Sequence, residues 1–410
     1  MTKIVFMFEK PLGMRDTLPA LYEAKKKIRN AMSSQIESWG YQFIETPTLE
    51  YYETIGEASA ILDRQLFKLL DSQGHTLVLR PDMTAPIARV AASRLYKGEY
   101  PLRIAYSANV FRAQQHEGGR PAEFEQIGVE YIGDTTTSAD AEVISLMIAA
   151  LKQAGLTNFT VPIGHIGYVK SLFKEIVGNE ARADVLQRYL YEKNYVGYRE
   201  HVKSLPLSSI DKQRLLSLLQ LRGNDAKITK AKELVECAEG KKAAEELEML
   251  WKKLEAFGVT EHIKIDFNLV SHMSYYTGIL FEIYAENVGF LVGNGGRYDH
   301  LFEKFDRPAP ATGFGIRIDR LLEALDLPQD EPEIHCVIFS AEQRDEAIRF
   351  AMNKREQGER VILQDIAGIK EVDACTSAFA KNTFFLGTTK EGGRVNERQT
   401  NDSDAERTNF

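Results

Sequence analysis

The sequence has few cysteines and no excess of basic charge. Its 410 residues contain three cysteines, Cys237, Cys336 and Cys375, which are odd in number and far apart. This distribution excludes a disulfide framework and offers no metal-binding spacing, as is typical of proteins in a reducing cytosol. The formal net charge of −8 and the isoelectric point of about 5.7 exclude a general electrostatic attraction to nucleic acid, although a local basic face stays compatible with them.

Long apolar runs are also missing. The apolar stretch near the N-terminus ends at Glu9 and Lys10, so it is too short for a signal peptide or a membrane span. We therefore expect a cytoplasmic protein with no membrane association. The hydrophobic content of 44% and the charged content of 27% predict a globular chain with a sizeable core, and the length allows two or three domains.

Residues 1–165 alternate helical and extended patterns without the regular βαβ order of a doubly wound fold. Apolar residues recur at helical spacing after Pro19, and Gly40 ends that helix. The basic run at 25–29 falls largely on its other face, which we interpret as a solvated surface rather than a nucleic-acid patch. The further predicted elements are a hairpin of 65–70 and 76–80, a helix from about 83 to 95, strands at 103–112 and 124–132, and a helix over 138–154.

The rest of the chain changes character twice. Residues 170–258 show mainly helical periodicity, and strand patterns return at 262–270, 275–285 and 289–293, followed by a strand over 313–318 that runs into a helix. A short α/β unit follows. These patterns predict an α+β protein. Its parts are a core at 1–325 with a helical insertion at about 170–260, a C-terminal α/β unit at 333–389, and a polar tail at 390–410 that we expect to be disordered.

Four motifs in order carry a family resemblance. They are Leu79-Arg80-Pro81-Asp82-Met83-Thr84-Ala85; Phe111-Arg112 with Phe124-Glu125-Gln126-Ile127-Gly128-Val129-Glu130; Tyr275-Tyr276-Thr277-Gly278 with Gly293-Asn294-Gly295-Gly296-Arg297-Tyr298-Asp299; and Gly313-Phe314-Gly315-Ile316-Arg317-Ile318-Asp319-Arg320. Together they resemble the histidyl-tRNA synthetase family, and the second motif looks like the strand–loop–strand that holds ATP. The resemblance implies a class II aminoacyl-tRNA synthetase-like fold, an antiparallel sheet flanked by helices.

The resemblance also implies a histidine pocket. Asp82, Thr84 and Gln126 would accept the α-amino group, and Arg112 would bind the carboxylate. Glu130 and Tyr276 would address the imidazole, and Tyr298 would close a wall beside Tyr275. Two structural alternatives stay open: Arg112 could form a salt bridge with Glu130 or Asp82, and Tyr275 and Tyr276 could be core aromatics.

The side of the pocket that would face ATP departs from the family. The family has an arginine where this chain has Ser271, and Gln115 and Ala122 also stand where the family has basic residues. Removing one preorganised electrostatic group commonly costs ~10²–10³-fold in rate. Other replacements are Gln114, Ser274 and Asp319. Arg112, Arg120 and Arg320 are kept, although a purely structural role is the alternative for Arg112 and Arg320. We expect no catalytic residues, no adenylation, no cofactor and no metal.

A group of synthetase paralogues shows this pattern of loss. The chain is similar to the regulatory subunits of ATP phosphoribosyltransferase, the enzyme that joins ATP to phosphoribosyl pyrophosphate in the first step of histidine biosynthesis. The resemblance implies a hetero-oligomer with the short-form catalytic subunit and feedback inhibition by L-histidine. Residues 20–50 are the expected homodimer contact. The C-terminal unit is too short for an anticodon-binding module of roughly one hundred residues, so specific tRNA binding is not expected. A divergent histidyl-tRNA synthetase is the alternative.

Overall fold

The computed structural model describes residues 9–56, 58–98, 101–113, 121–271, 275–326 and 333–387. The chain divides between Pro328 and Gln329 into two compact units. Among the described residues, no helix is both long enough and apolar enough to cross a membrane. The four replaced or retained positions at 114, 115, 120 and 274 lie outside these ranges.

Helices and strands alternate along the first unit and recur in the second. The helices are α1 (Pro19–Ser38), α2 (Thr84–Val90), α3 (Thr137–Gln153), α4 (Ile166–Val177), α5 (Glu180–Tyr191), α6 (Tyr195–Ser204), α7 (Ser209–Leu218), α8 (Ala226–Leu234), α9 (Ala238–Ala256), α10 (Ile318–Leu325), α11 (Arg344–Glu356) and α12 (Val372–Ser377). The strands are β1 (Gln42–Phe43), β2 (Leu49–Tyr51), β3 (Lys68–Leu70), β4 (Thr76–Leu79), β5 (Leu102–Phe111), β6 (Glu123–Ile132), β7 (Phe159–His165), β8 (Arg222–Gly223), β9 (Ile263–Asp266), β10 (Ile279–Ala285), β11 (Leu291–Arg297), β12 (Ala311–Arg317), β13 (His335–Phe339), β14 (Val361–Asp365) and β15 (Lys381–Phe385).

A nine-stranded sheet forms the centre of the first unit, in the order β1-β5-β6-β12-β11-β10-β7-β9-β8. The pairs β1–β5 and β7–β9 are parallel, and the other neighbours run antiparallel. Helices cover one face, where α1 and α3 pack against apolar side chains such as Val129 and Phe314. The predicted class, an antiparallel sheet flanked by helices in an α+β fold, is confirmed.

Helix α1 shows how sequence produces one of these covering elements. Pro19 begins the helix, where a missing backbone N–H costs nothing, and the buried side chains of Ala24, Ile28, Met32 and Ile36 recur every four residues. The chain leaves the helix at Gly40, whose φ of +81° is a left-handed conformation that glycine adopts without strain.

The helices α4–α9 stand between β7 and β9, as expected of the predicted insertion. They bury apolar side chains among themselves, and α9 packs against both α3 and α4. A smaller antiparallel sheet, β2-β4-β3, includes the predicted hairpin.

The second unit is a parallel sheet in the order β14-β13-β15, with α11 packed against it. This agrees with the predicted short α/β unit, except that the sequence pattern did not predict α12.

Candidate functional site

A cavity opens on the sheet face opposite α1 and α3. It holds about 390 Å³ of space, including the solvent at its mouth. Its lining consists of Asp82, Thr84, Tyr106, Arg112, Gln126, Glu130, Tyr275, Tyr276, Asn294, Tyr298, Gly313, Phe314 and Gly315. All eight residues predicted for a histidine pocket are in this set, although they are spread over more than half of the sequence. Tyr106, Asn294 and Phe314 were not among the predicted pocket residues. The side chain of Phe314 packs on the opposite face of the sheet, and its carbonyl accepts a hydrogen bond from the Tyr106 hydroxyl over 3.4 Å.

Strand alternation places the polar side chains of β6 on the cavity face. Gln126, Gly128 and Glu130 point to the same side because successive side chains of a strand alternate. The neighbouring strand β12 contributes glycines at the level of these residues: Gly315 pairs with Gly128, and Gly313 pairs with Glu130. A Cβ at Gly313 would overlap Glu130 Oε2, and one at Gly315 would overlap Gln126 Nε2. The missing side chains therefore leave room for the Glu130 carboxyl and the Gln126 amide, which form the cavity floor.

Glu130 is the acidic group at the floor of the cavity. Thr84 Oγ1 donates a hydrogen bond to its Oε1 over 2.9 Å, and the Tyr298 hydroxyl donates to its Oε2. The side chain is 2% exposed, and burial raises the pKa of Glu130 to about 8 even though both hydrogen bonds act in the opposite direction. Near neutral pH Glu130 is therefore largely the neutral acid.

Asp82 and Arg112 supply opposite charges next to one another. Asp82 Oδ1 accepts from the backbone N–H of Ala85 over 3.1 Å, and its Oδ2 accepts from the Ser59 hydroxyl. Arg112 Nε donates to the carbonyl of Pro81 over 2.8 Å. Burial lowers the pKa of Arg112, and the nearby charge of Asp82 partly offsets this shift. The Asp82 carboxylate thus both caps the start of α2 and faces the cavity, and the contact with Pro81 holds Arg112 beside it.

The tyrosines form an aromatic wall with oriented hydroxyls. The Tyr275 ring lies 4.9 Å from the Tyr276 ring and 5.7 Å from the Tyr298 ring, centroid to centroid. Asn294 Nδ2 donates to the Tyr276 hydroxyl over 3.3 Å. Burial raises the pKa of Tyr276 and of Tyr298, so both hydroxyls keep their protons. Tyr276 and Tyr298 are therefore buried aromatic residues and, at the same time, polar groups of the cavity lining.

One polar atom of Gln126, a residue of the cavity lining, has unsatisfied hydrogen-bonding capacity within the described part of the chain. Its Oε1 is buried and has no hydrogen-bond partner among the described residues. A buried acceptor without a partner is costly, so such an atom at a cavity wall indicates a position where a bound donor would be favourable.

Residues on the side that would face ATP make contacts within the protein. Arg320 Nη1 donates to the carbonyl of Leu291 over 2.5 Å, and its guanidinium lies 5.4 Å from the Phe290 ring centroid. Ala122 is fully buried, and its backbone N–H donates to the carbonyl of Gly13. Ser271 lies half-buried on the segment between β9 and β10. No group of three or more potential metal-binding side chains occurs within the described ranges.

Tyr106 and Asn294, which were not predicted for the pocket, both lie beside a glycine of an adjacent strand. Tyr106 lies on β5 opposite Gly128, and Asn294 lies on β11 opposite Gly315. Side chains beside a glycine in the adjacent strand border the space that the glycine leaves. Finding them from the sequence would have required the strand register.

Comparisons with known proteins agree with this architecture. A family model described as histidyl-tRNA synthetase matches residues 13–321, and a model described as "Histidyl-tRNA synthetase HisZ, C-terminal domain" matches residues 336–387. The ATP phosphoribosyltransferase regulatory subunit of Geobacillus sp. (strain WCH70) is 68% identical over 391 residues, which cover 95% of this chain and 100% of the relative. That of Bacillus subtilis (strain 168) is 63% identical, covering 94% and 99%.

Solved structures give the same result. A structure described as an ATP phosphoribosyltransferase regulatory subunit/histidyl-tRNA synthetase from Bacillus halodurans has 60% identity and a TM-score of 0.89, covering 94% of this chain and 100% of that one. The histidyl-tRNA synthetase of Nostoc sp. PCC 7120, with 19% identity and a TM-score of 0.77, shares the fold.

Proposed function

The chain belongs to the family of ATP phosphoribosyltransferase regulatory subunits, and we propose that it acts there as a sensor that binds L-histidine in the cavity above Glu130. Its role is that of a non-catalytic subunit in the first step of histidine biosynthesis. The lining of the cavity is the observation that carries the proposal, because it offers a complement for each polar group of the free amino acid.

The α-amino and α-carboxylate groups of histidine would bind polar and charged side chains of the cavity lining. An ammonium needs acceptors, and Asp82, Thr84 and Oε1 of Gln126 provide them. A carboxylate needs a cation, for which the partly buried Arg112 guanidinium is suited because it presents a fork of N–H donors.

The imidazole would use the floor. Glu130 can accept from a ring N–H, and the Tyr276 hydroxyl faces the same space. The pKa of Glu130, about 8, would fall when a ring N–H or an imidazolium approaches, because a donor or a positive charge favours the carboxylate.

Calorimetric titration with L-histidine tests the site. We expect the purified chain to bind L-histidine, and Glu130→Ala to weaken the affinity by on the order of 10-fold or more, since a charged hydrogen bond contributes ~1.5–3 kcal/mol. Glu286→Ala, which removes an exposed carboxylate at the end of β10, is the matched control and should bind as the wild type does. Histamine, which lacks the carboxylate, should bind more weakly than histidine if Arg112 acts as proposed.

Two results would contradict this assignment. No heat of binding with L-histidine in the wild type would remove the sensor role. Equal affinities of wild type and Glu130→Ala would remove Glu130 from the site.

We propose further that the chain acts in a hetero-oligomer with the short-form catalytic subunit, in the cytoplasm, where its scattered cysteines would stay reduced. A histidine-dependent difference of ~1–3 kcal/mol between two states of the complex would suffice for feedback. Phosphoribosyl transfer by the reconstituted complex should be inhibited by histidine with the wild-type chain and much less with Glu130→Ala. If the two subunits never co-purify, and activity is unaffected by this chain, the partner assignment fails.

A further inference from the structure

The ring of Phe124 is covered by an arginine of the adjacent strand. Phe124 lies on β6 two residues before Gln126, and Arg317 on β12 pairs with Gln126, so both side chains point to the cavity face. The Arg317 guanidinium carbon lies 3.7 Å from the Phe124 ring centroid, the distance of a flat stack. The guanidinium of Arg112, which lines the cavity, also lies over this ring at 5.3 Å, and Phe124 is 4% exposed.

A second residue anchors this arginine. Asp319, at the start of α10, accepts from Arg317 Nη2 over 2.9 Å and from Nε over 3.4 Å. The side chain of Arg317 is 17% exposed and that of Asp319 is 23% exposed, so the pair is mostly shielded from water. A planar guanidinium that is both stacked and held by a carboxylate keeps its position better than a solvated side chain does.

The covered face of Phe124 is a surface of the kind on which an aromatic ligand stacks. Phe124 belongs to the motif that resembles the strand–loop–strand holding ATP, and nucleic-acid bases commonly stack on aromatic side chains. A purine needs a free ring face at a distance similar to the one that Arg317 already occupies. Binding a base here would therefore require breaking both the stack on Phe124 and the contact with Asp319.

We propose that Arg317 is a specificity-determining residue that fills the base position on Phe124 and so excludes nucleosides from the cavity. The guanidinium acts as an internal substitute for the base. The stacked Arg317 thus makes the cavity selective for a small amino acid over a nucleotide. The exclusion of nucleosides does not depend on whether histidine binds.

Adenosine is the probe that isolates this effect, because it carries the base and no phosphate. With a phosphorylated nucleotide, the loss of the Arg317 charge would by itself weaken binding. We expect calorimetry to detect little or no adenosine binding by the wild type. Arg317→Ala should bind adenosine on the order of 10-fold or more tightly than the wild type, in line with the strength of stacking on one aromatic residue. The double variant Arg317→Ala/Phe124→Ala should lose that gain.

Arg344→Ala is the matched control. Arg344 lies over the Phe339 ring at 6.0 Å and pairs with Asp365 over 3.3 Å in the second unit, so it has a similar aromatic and acidic environment. Its removal should leave adenosine binding at the wild-type level. Melting curves and circular dichroism establish that each variant is folded. If Arg317→Ala does not fold, Asp319→Ala, which removes the anchor, should show a smaller gain.

The proposal is wrong if wild type and folded Arg317→Ala bind adenosine equally, whether well or not at all, or if Asp319→Ala, used in its place, shows no gain. Histidine titrations on the same samples separate this result from the sensor role. A chain that gains adenosine binding in Arg317→Ala but never binds histidine contradicts the sensor role alone.

Discussion

Single residues set the chemistry of the cavity, and Glu130 combines a structural cost with the binding role that we propose for it. Its carboxyl accepts hydrogen bonds from Thr84 and Tyr298, yet burial still raises its pKa to about 8. The fold therefore keeps the Glu130 carboxyl protonated at a pH at which the same group in water would be ionised. Such groups are common where a ligand completes the set of polar partners.

The raised pKa of Glu130 predicts a pH dependence of stability. In the unfolded chain the same carboxyl titrates near 4.5, so the folded state binds more protons between about pH 4.5 and 8. The stabilising contribution is fully present below pH 4.5 and is lost as the pH rises through 8. Melting temperatures measured from pH 5 to 9 should fall more steeply for the wild type than for Glu130→Gln, by at least ~3 °C over this range. Parallel curves for the two proteins would contradict the pKa shift.

The glycines of β12 predict a second residue-scale effect. Gly315→Ala should displace the Gln126 amide and fill part of the floor, since the added Cβ would overlap Gln126 Nε2. We expect histidine affinity to fall by on the order of 10-fold, the typical effect of one methyl group in a fitted pocket. Gly289→Ala is the control, because no atom lies within 4 Å of the added carbon. Unchanged affinity in Gly315→Ala would show that the floor does not contact the ligand.

Elements are held in register by a buried ion pair between β11 and α3. Arg297 contacts Asp140 at 2.9 Å and also donates to the carbonyls of Asp134 and Thr136. The side chain of Arg297 is 8% exposed and that of Asp140 is 1% exposed. Because β11 carries Asn294 and leads to Tyr298, this pair fixes one wall of the cavity as well as the packing of α3.

Removing one partner of this pair should destabilise the first unit strongly. Arg297→Met leaves the Asp140 carboxylate buried without its cation, which typically costs ~3–5 kcal/mol. Chemical denaturation monitored by circular dichroism measures the free energy of unfolding. Lys152→Met is the control, since Lys152 and Glu261 form an exposed pair and its loss should change stability little. A loss in Arg297→Met no larger than in Lys152→Met would show that the pair does not anchor β11.

Sequence patterns predicted elements best where one periodicity dominated. The four-residue spacing of Ile28, Met32 and Ile36 was sufficient for α1. Strand β11 was predicted to end near Gly293 and instead continues to Arg297. Glycine usually indicates a turn, but here Gly295 and Gly296 lie within the sheet because neighbouring groups approach too closely for a side chain. Local patterns do not contain that information.

At the scale of the whole molecule, apolar side chains are exposed within residues 20–50, the segment expected to form a homodimer contact. Tyr22 is 50% exposed and Leu49 is 45% exposed. A stable protein interface usually buries about 1,200 Å² or more and has an apolar centre. These two residues are suited to such a centre, so the homodimer contact at residues 20–50 remains a prediction.

Sedimentation of the purified chain tests the dimer. We expect a dimer for the wild type and a shift to monomer in the double variant Tyr22→Glu/Leu49→Lys, because charges would be buried at the contact without partners. Ile210→Lys changes a residue that is 72% exposed on α7 in the insertion and should leave the dimer intact. A monomeric wild type, or a double variant that still dimerises, would move the contact away from this segment.

The sequence by itself determined the fold class, the family and the eight residues predicted for the histidine pocket, because each of these depends on residue types at fixed order within short motifs. Only the tertiary structure brought Asp82, Glu130 and Tyr298 around one cavity, added Tyr106 and Asn294 to its wall, and placed Arg317 on Phe124. The reason is strand register. Which side chains meet across β5, β6, β12 and β11 depends on how the strands align, and a shift by one residue would turn each of them to the other face of the sheet.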